Sequence, residues 1–115
     1  MTLVASARAV LAPLLHAAAL EPLAKQRKAL GDQIEIAHDG AGAWALPPAM
    51  KIVRAMEEYD IFWQEEMLHP VNVETHLKLA AETETPICAA ERLMTRWEFR
   101  EWIERGAAEI VMPDL

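Results

Sequence analysis

The stretch IFWQE, residues 61–65, is a short apolar run that ends on a carboxylate, and it decides how the rest of the chain is interpreted. Three other runs have the same form: IEIAHD (34–39), PICAAE (86–91) and IVMPD (110–114). Each run has the length and apolar content of a β-strand. The acidic residues that close them, which we call the acidic ladder, are separated by 26, 26 and 23 positions and are Asp39, Glu65, Glu91 and Asp114.

Helical patterns separate the four runs. One follows Pro47 and Pro48, a second follows the N-cap residue Asn72, and a third follows a capping box formed by Thr95 and Glu98. An earlier helix is expected from Pro22 to just before Gly31. The residues expected to form the buried faces of the three inner helices are Ala49, Ile52, Val53, Met56, Val73, Leu77, Ala80, Ala81, Phe99, Trp102 and Ile103.

The alternation of strands and helices predicts an α/β fold, a partial (β/α) TIM-type barrel with about four parallel strands and intervening helices. In such barrels the loops at the carboxyl ends of the strands converge on the active site. Strand alternation also supports this site, because it places apolar residues on the same face as the acid in three runs. These residues are Ile61 and Trp63, Ile87 and Ala89, and Ile110 and Met112. The exception is Glu35, which alternation groups with Asp39.

The composition indicates one globular domain, with 115 residues of which 53% are hydrophobic and 25% charged. A net charge of −7 without a basic block argues against nucleic-acid and anionic-membrane partners. The single cysteine, Cys88, cannot form an internal disulfide and is expected to be a core residue. A reducing cytoplasm is therefore the expected location.

Residues 1–20 form an apolar lead-in whose structure the sequence does not define, and residues 21–115 are expected to form the barrel domain. The lead-in loosely resembles a secretory signal. Its only charge ahead of the apolar stretch is Arg8, and Pro13 and His16 interrupt that stretch. No run approaches the roughly 18 apolar residues of a membrane helix. A helical or irregular lead-in is favoured over export.

Several polar residues near the ladder are expected to have structural roles. His38 lies on the opposite strand face from Asp39, which favours a hydrogen-bonded structural histidine over a ligand. His69 and His76 are expected to be solvated or to cap a helix. Glu66 faces away from its neighbour in the ladder, so it is not chosen as a ligand.

Three carboxylates at one point would repel each other unless a cation joined them. Oxygen ligands from aspartate and glutamate favour a hard ion, Mg²⁺ first and Mn²⁺ or Ca²⁺ next. Zinc is less favoured because no histidine or cysteine takes part in the repeat. Asp114 has a different spacing and follows a proline, so it is expected to support the site without binding metal.

The segments KALGDQIEIAHDGAGAW, YDIFWQEEM, TPICAAERLMTRWEFRE and GAAEIVMPDL resemble the barrel domain of the enolase superfamily. Within it they look closest to acid-sugar (galactonate-type) dehydratases of the mandelate racemase and muconate lactonizing group. The resemblance implies that Asp39, Glu65 and Glu91 are Mg²⁺ ligands on strands three, four and five. It also implies that Asp114, on strand six, would orient a catalytic histidine from strand seven.

The reaction that the resemblance implies is dehydration of a sugar acid through a metal-stabilised enolate formed by α-proton abstraction. The full-length protein is expected to be a homo-oligomer. No substrate-binding residue is assigned, and the same ligand set also serves racemases and cycloisomerases.

The chain departs from the family pattern at several positions. Ala41 stands where many of these dehydratases have a histidine or asparagine, Met67 replaces a proline, and Ala90 replaces a glycine. No Lys-x-Lys strand precedes Asp39, and the chain ends before a seventh strand. The chain alone is therefore expected to be inactive. The alternative is a truncated fragment that only binds metal or associates with itself.

Overall fold

The computed structural model describes residues 17–70 and 72–114, and these fall into two compact units that divide between Ile34 and Glu35. The first unit contains helix α1, residues 17–30, followed by a 3-10 turn over Gly31–Gln33. Gly31 has a φ of 69°, which confirms the glycine expected just past the helix end. Arg27 Nη1 donates to the carbonyl oxygens of Gly31 at 2.9 Å and Ile34 at 2.8 Å.

The predicted start of α1 at Pro22 is wrong, because the chain is already helical at Ala17. The run of alanines and Leu20 has high helix propensity and extends the helix ahead of the proline. The expectations for residues 1–16 lie outside the described part of the chain. Over residues 17–70 and 72–114, no helix combines the length and apolarity needed to cross a membrane.

The second unit is a four-stranded parallel sheet with helices between successive strands. Its strands are β1 (Ile36–Asp39), β2 (Ile61–Glu65), β3 (Ile87–Ala89) and β4 (Ile110–Val111). Its helices are α2 (Leu46–Met56), α3 (Val73–Ala80) and α4 (Arg96–Arg105), with a 3-10 turn over Glu57–Tyr59 after α2. The strand order is β1-β2-β3-β4 and each neighbouring pair is parallel. The predicted α/β partial barrel is confirmed, with the described sheet left open.

An irregularity in β2 changes which residues share a face. Ile36 pairs with Ile61. The next pair is His38 with Gln64, which lies two residues further along β1 but three residues further along β2. One extra residue in β2 therefore interrupts the alternation, as in a β-bulge. Ile61 lies with Gln64 on the face opposite Glu65, so the predicted grouping of Ile61 with Glu65 is wrong.

The predicted facing of β3 also fails. Gln64 pairs with Ile87, and Glu65 pairs with Cys88. Since partners in a parallel pair point to the same side of the sheet, Ile87 lies on the face opposite Glu65. The alternation does not continue to Glu91, because the residue before it, Ala90, has a φ of 81°. Trp63 still shares a side with Glu65, since its Nε1 donates to Glu65 Oε2, but Ile61 and Ile87 do not give the independent support that alternation predicted for the acidic ladder.

The helices cover the face of the sheet that carries Gln64. All four residues of the predicted stripe on α2 are buried, and Gln64 Nε2 lies 3.3 Å from Met56 Sδ. On α3 the buried residues are His76 and Leu79, and of the predicted set Val73, Leu77 and Ala80 are only half-buried and Ala81 is exposed. On α4 only Trp102 is buried, and Ile103 is 58% exposed.

The helix caps match the sequence predictions. Asn72 Oδ1 accepts from the backbone N–H of Glu74 at 2.9 Å. Thr95 and Glu98 form the predicted capping box, and Gly106 ends α4 with a φ of 70°. These local contacts fix where α3 and α4 begin, and therefore where the loops after β2 and β3 end.

Candidate active site

The loops after β1 and β2 are fastened to each other by backbone hydrogen bonds at the carboxyl edge of the sheet. Gly40 N donates to the carbonyl oxygen of Glu65 at 2.8 Å, and Gly42 N donates to that of Glu66 at 2.5 Å. Gly40 has no room for a side chain, since a Cβ there would lie 2.9 Å from Met67 Cα. The glycine therefore allows the two loops to approach this closely.

Asp39 and Glu65 are brought together as direct register partners at the ends of β1 and β2. Asp39 is exposed, and its Oδ1 accepts from the backbone N–H of Ala41 at 2.7 Å. Glu65 is half-buried, and its Oε2 accepts from Trp63 Nε1 at 2.9 Å. Each carboxylate therefore uses one oxygen on a donor from its own segment.

Glu91 and Asp114 are both exposed. Glu91 follows β3 by two residues, and its Oε1 lies 3.8 Å from Arg92 Nε. Asp114 lies three residues beyond β4, not at the end of a longer strand as predicted. Among residues 17–70 and 72–114, no three histidine, cysteine, aspartate or glutamate side chains lie close enough to hold a metal ion. The assignment of Asp39, Glu65 and Glu91 as ligands stays a prediction.

The residues at this edge nevertheless fit a hard divalent cation in their chemistry. Cys88, which is 1% exposed and pairs with Glu65, has its pKa raised to about 11. Burial is the largest cause, and the negative charges of Glu65, Glu66 and Asp39 add to it. Negative charge from two strand ends thus converges around one point of the sheet. A divalent cation would reduce the repulsion between these negative charges, and carboxylate oxygens are ligands that suit Mg²⁺. The burial of Cys88 also confirms it as a core residue.

Two of the three histidines in the described residues follow the sequence analysis. His38 is half-buried, its Nδ1 lies 3.1 Å from Gln64 Oε1, and burial lowers its pKa, which confirms a structural role. His69 is exposed, and its Nε2 lies 3.0 Å from Arg92 Nη1. Since the guanidinium can only donate, His69 Nε2 is the acceptor in this contact.

The prediction that His76 is solvated or capping is wrong as to its exposure. Its side chain is 1% exposed, its ring centroid lies 4.4 Å from that of Trp102, and its Nδ1 lies 3.1 Å from the carbonyl oxygen of Asn72. Burial lowers its pKa. The packing of α3 against α4 places the ring in the core, which periodicity within α3 does not reveal.

Glu66 is the residue at this edge that the sequence analysis set aside. It is 2% exposed, and its Oε1 accepts from the backbone N–H of Ala90 at 2.7 Å. Burial raises its pKa, and the N–H groups of Ala90 and Glu91 oppose that shift. Its predicted direction away from Glu65 stays a prediction. The sequence signal for its role is weak, since only the adjacent pair of acids marks the position.

The fold and the site together define a segment of a parallel βα-barrel domain with acidic residues at the carboxyl ends of its strands. The chain belongs to the enolase C-terminal domain-like family, which it matches over residues 11–115. This membership confirms the superfamily expected from the sequence motifs.

Three relatives show the range of the likeness. A D-galactonate dehydratase from Ralstonia nicotianae is 36% identical over all of this chain, which covers 28% of that protein. A mandelate racemase/muconate lactonizing enzyme-like protein from Rubrobacter xylanophilus matches 89% of this chain and 26% of its own, with 37% identity and a TM-score of 0.85. An L-talarate dehydratase from Polaromonas sp., solved with Mg and L-glucarate, matches 86% of this chain and 28% of its own, with 32% identity and a TM-score of 0.82. The chain thus spans about a quarter of the length of these relatives.

Proposed function

We propose that this segment supplies the metal-binding part of a Mg²⁺-dependent dehydratase of sugar acids. In this proposal Asp39, Glu65 and Glu91 hold the cation. The observation that carries it is the direct register pairing of Asp39 with Glu65 at the carboxyl edge of a parallel sheet. The identity of 36% to a galactonate dehydratase, and the Mg and L-glucarate in the talarate dehydratase structure, support the choice of reaction and cofactor.

When bound, Mg²⁺ would act as a Lewis acid toward a substrate carboxylate and lower the cost of removing the adjacent proton. The protein side chains would bind the cation and support its site. The two strand-end acids would reorient from their present donors, Ala41 N and Trp63 Nε1, toward the cation. Asp114 would support the site without binding metal, because it lies beyond β4 and follows a proline.

A metal titration tests the site in the 115-residue chain. Millimolar Mg²⁺ should raise the melting temperature, because a ligand that binds only the folded state stabilises it. Glu65→Gln should weaken this effect, whereas Asp114→Asn should leave metal affinity nearly intact. An unchanged melting curve for the unaltered chain would remove the metal site, and a loss of affinity in Asp114→Asn would overturn the supporting role of that residue.

The reaction is tested in a chimera in which residues 35–115 replace the matching segment of the Ralstonia dehydratase. The chimera should convert aldonic or aldaric acids to 2-keto-3-deoxy acids, and Glu65→Gln in the same chimera should abolish turnover. A chimera that folds, binds Mg²⁺ and only epimerises the substrate would favour a racemase. The presence of a 3,6-anhydro-D-galactonate cycloisomerase among the structural matches, at 27% identity, makes ring-forming products worth assaying too.

We also propose that the full protein takes a small sugar acid as its substrate and acts as a homo-oligomer in a reducing, cytoplasmic compartment. The single buried Cys88 supports the compartment. Size measurement of the full protein by light scattering tests the oligomer, and a monomer at micromolar concentration would refute it.

A further inference from the structure

Glu66 is the point at which the loops after β1, β2 and β3 meet. Its carbonyl oxygen accepts from Gly42 N in the first loop, and its side-chain Oε1 accepts from Ala90 N in the third. The residue itself opens the second loop, directly after Glu65. One side chain and one peptide group therefore connect the three segments that carry Asp39, Glu65 and Glu91.

The backbone at this point is held in an unusual conformation. Glu66 has a φ of 41° and Ala90 has a φ of 81°, both in the left-handed region that a Cβ disfavours. Glycine would adopt these angles freely, but glycine at position 66 would have no oxygen to accept from Ala90. The hydrogen bond between Glu66 and Ala90 thus offsets the backbone strain at both residues.

The hydrogen bond is buried, which makes its loss consequential. Glu66 is 2% exposed and Ala90 is fully buried. Without an acceptor, the Ala90 N–H would be left unsatisfied away from water. The turn that it anchors leads directly into Glu91, so a shift of this turn would displace the Glu91 side chain relative to the other two carboxylates.

The contact with Ala90 requires an acceptor oxygen on the Glu66 side chain and does not require its negative charge. Oε1 accepts the Ala90 N–H at 2.7 Å, whereas Oε2 is buried and makes no hydrogen bond of comparable geometry among the described residues, although the Glu91 N–H also acts on the carboxylate and lowers its pKa. A glutamine could keep the accepting oxygen and place its amide group where Oε2 now lies. A methionine of similar size could not accept this bond.

We propose that Glu66 is a positioning residue: its side-chain oxygen fixes the Ala90–Glu91 turn against the end of β2 and so sets where Glu91 can reach. The link from this turn to metal binding rests on the proposed function of Asp39, Glu65 and Glu91. The link from Glu66 to the turn does not.

The first test is made on the unaltered chain by NMR. A scalar coupling across the hydrogen bond should connect the Ala90 amide nitrogen to the Glu66 side-chain carboxyl carbon, and the Ala90 amide should exchange slowly with solvent. A fast-exchanging Ala90 amide without this coupling would overturn the proposal before any variant is made.

Two variants of Glu66 then separate the role of its acceptor oxygen from that of its negative charge. Glu66→Gln should keep Ala90 amide protection within about threefold of the unaltered chain, and Glu66→Met should lower it by about tenfold or more, as expected for loss of a buried hydrogen bond. If Glu66→Met does not fold, Glu66→Gln still decides, since loss of protection in the glutamine variant would refute the acceptor role.

Glu57→Met is the matched control, because it makes the same chemical change at the opposite edge of the sheet. Glu57 Oε1 accepts from the backbone N–H of Glu84 at 2.8 Å, ahead of β3. The control should release the Glu84 amide and leave the Ala90 amide unchanged. An equal loss of Ala90 protection in Glu57→Met would show a general loosening of the fold and refute a specific role for Glu66.

Mn²⁺ binding, measured by electron paramagnetic resonance with the metal alone, tests the last link. Glu66→Gln should bind Mn²⁺ like the unaltered chain, and Glu66→Met should bind about tenfold more weakly, by the free energy of one lost hydrogen bond. If the unaltered chain binds no Mn²⁺, the proposed metal site fails, and the amide measurements still decide whether Glu66 holds the turn.

Discussion

Replacing Gly40 by alanine should destabilise the fold through a steric conflict between the first two loops. A Cβ at position 40 would lie 2.9 Å from Met67 Cα, 2.9 Å from Met67 Sδ and 3.1 Å from the carbonyl oxygen of Glu66. The sulfur belongs to a side chain that can move, but the Cα and the carbonyl belong to backbone. The loops must therefore separate, which would stretch the hydrogen bond from Gly40 N to the Glu65 carbonyl oxygen, now 2.8 Å long.

The size of the effect follows from these contacts. Overpacking a tight site costs about 1–3 kcal/mol, and weakening one backbone hydrogen bond adds about 0.5–1.5 kcal/mol. We expect the free energy of unfolding to fall by about 2–4 kcal/mol, a large part of the roughly 5–15 kcal/mol of a typical domain. Urea unfolding followed by circular dichroism measures this change.

Two comparisons isolate the cause. Gly106→Ala provides the control, since Gly106 has a φ of 70° and no atom within 4 Å of an added Cβ. It should cost only about 1 kcal/mol, from backbone strain alone. In a Met67→Ala background the penalty of Gly40→Ala should shrink but not vanish, because the contact with Met67 Cα remains. A Gly40→Ala chain within about 0.5 kcal/mol of the unaltered one, the range of ordinary surface substitutions, would refute the close approach of the loops.

Three further outcomes are expected. Ala41→Gly should stabilise the chain by about 0.5–1 kcal/mol in urea unfolding, because exposed Ala41 has a φ of 51°, and a loss of stability would contradict that strain. Thr95→Ala should cost about 1 kcal/mol through loss of the capping box, with Thr95→Ser nearly neutral, and equal losses in both would argue against the cap. The pKa of His76 is lowered by burial, so its contribution to stability is present above the unfolded pKa of about 6.5 and is lost as the pH falls below it. Urea unfolding at pH 7.5 and 5.5 should show this loss of stability. His76→Phe should make the loss smaller without removing the part that comes from His38, whose pKa burial also lowers. An unchanged pH dependence in His76→Phe would refute the assignment to His76.

The sequence predicts the elements of this fold well, because their signals are local. Proline at the start of α2, Asn72 before α3 and the capping box before α4 each act within one turn of helix, and each is confirmed. Strand facing was predicted less well. The extra residue in β2 is invisible to a strict alternation, and it moves Ile61 to the face opposite Glu65.

In the candidate site, too, some features follow from local sequence signals and others do not. The family and the position of Asp39 and Glu65 at one sheet edge follow from spacing and motif, since parallel strands must end together. The side-chain directions do not follow, because they depend on donors such as Ala41 N and Trp63 Nε1 that only the folded loops bring into place. The burial of Glu66 and His76 likewise arises from contacts with residues at least 24 positions away, Ala90 and Trp102.

The hydrogen bond from Trp63 Nε1 to Glu65 Oε2 gives the chain a built-in optical reporter. An indole whose N–H faces a carboxylate emits differently from one that loses this partner. Any event that withdraws the carboxylate, whether protonation, substitution or capture by a cation, should therefore register in the emission of this one ring. With Trp44, Trp97 and Trp102 replaced by phenylalanine, the chain would report the state of its own strand end without an added dye.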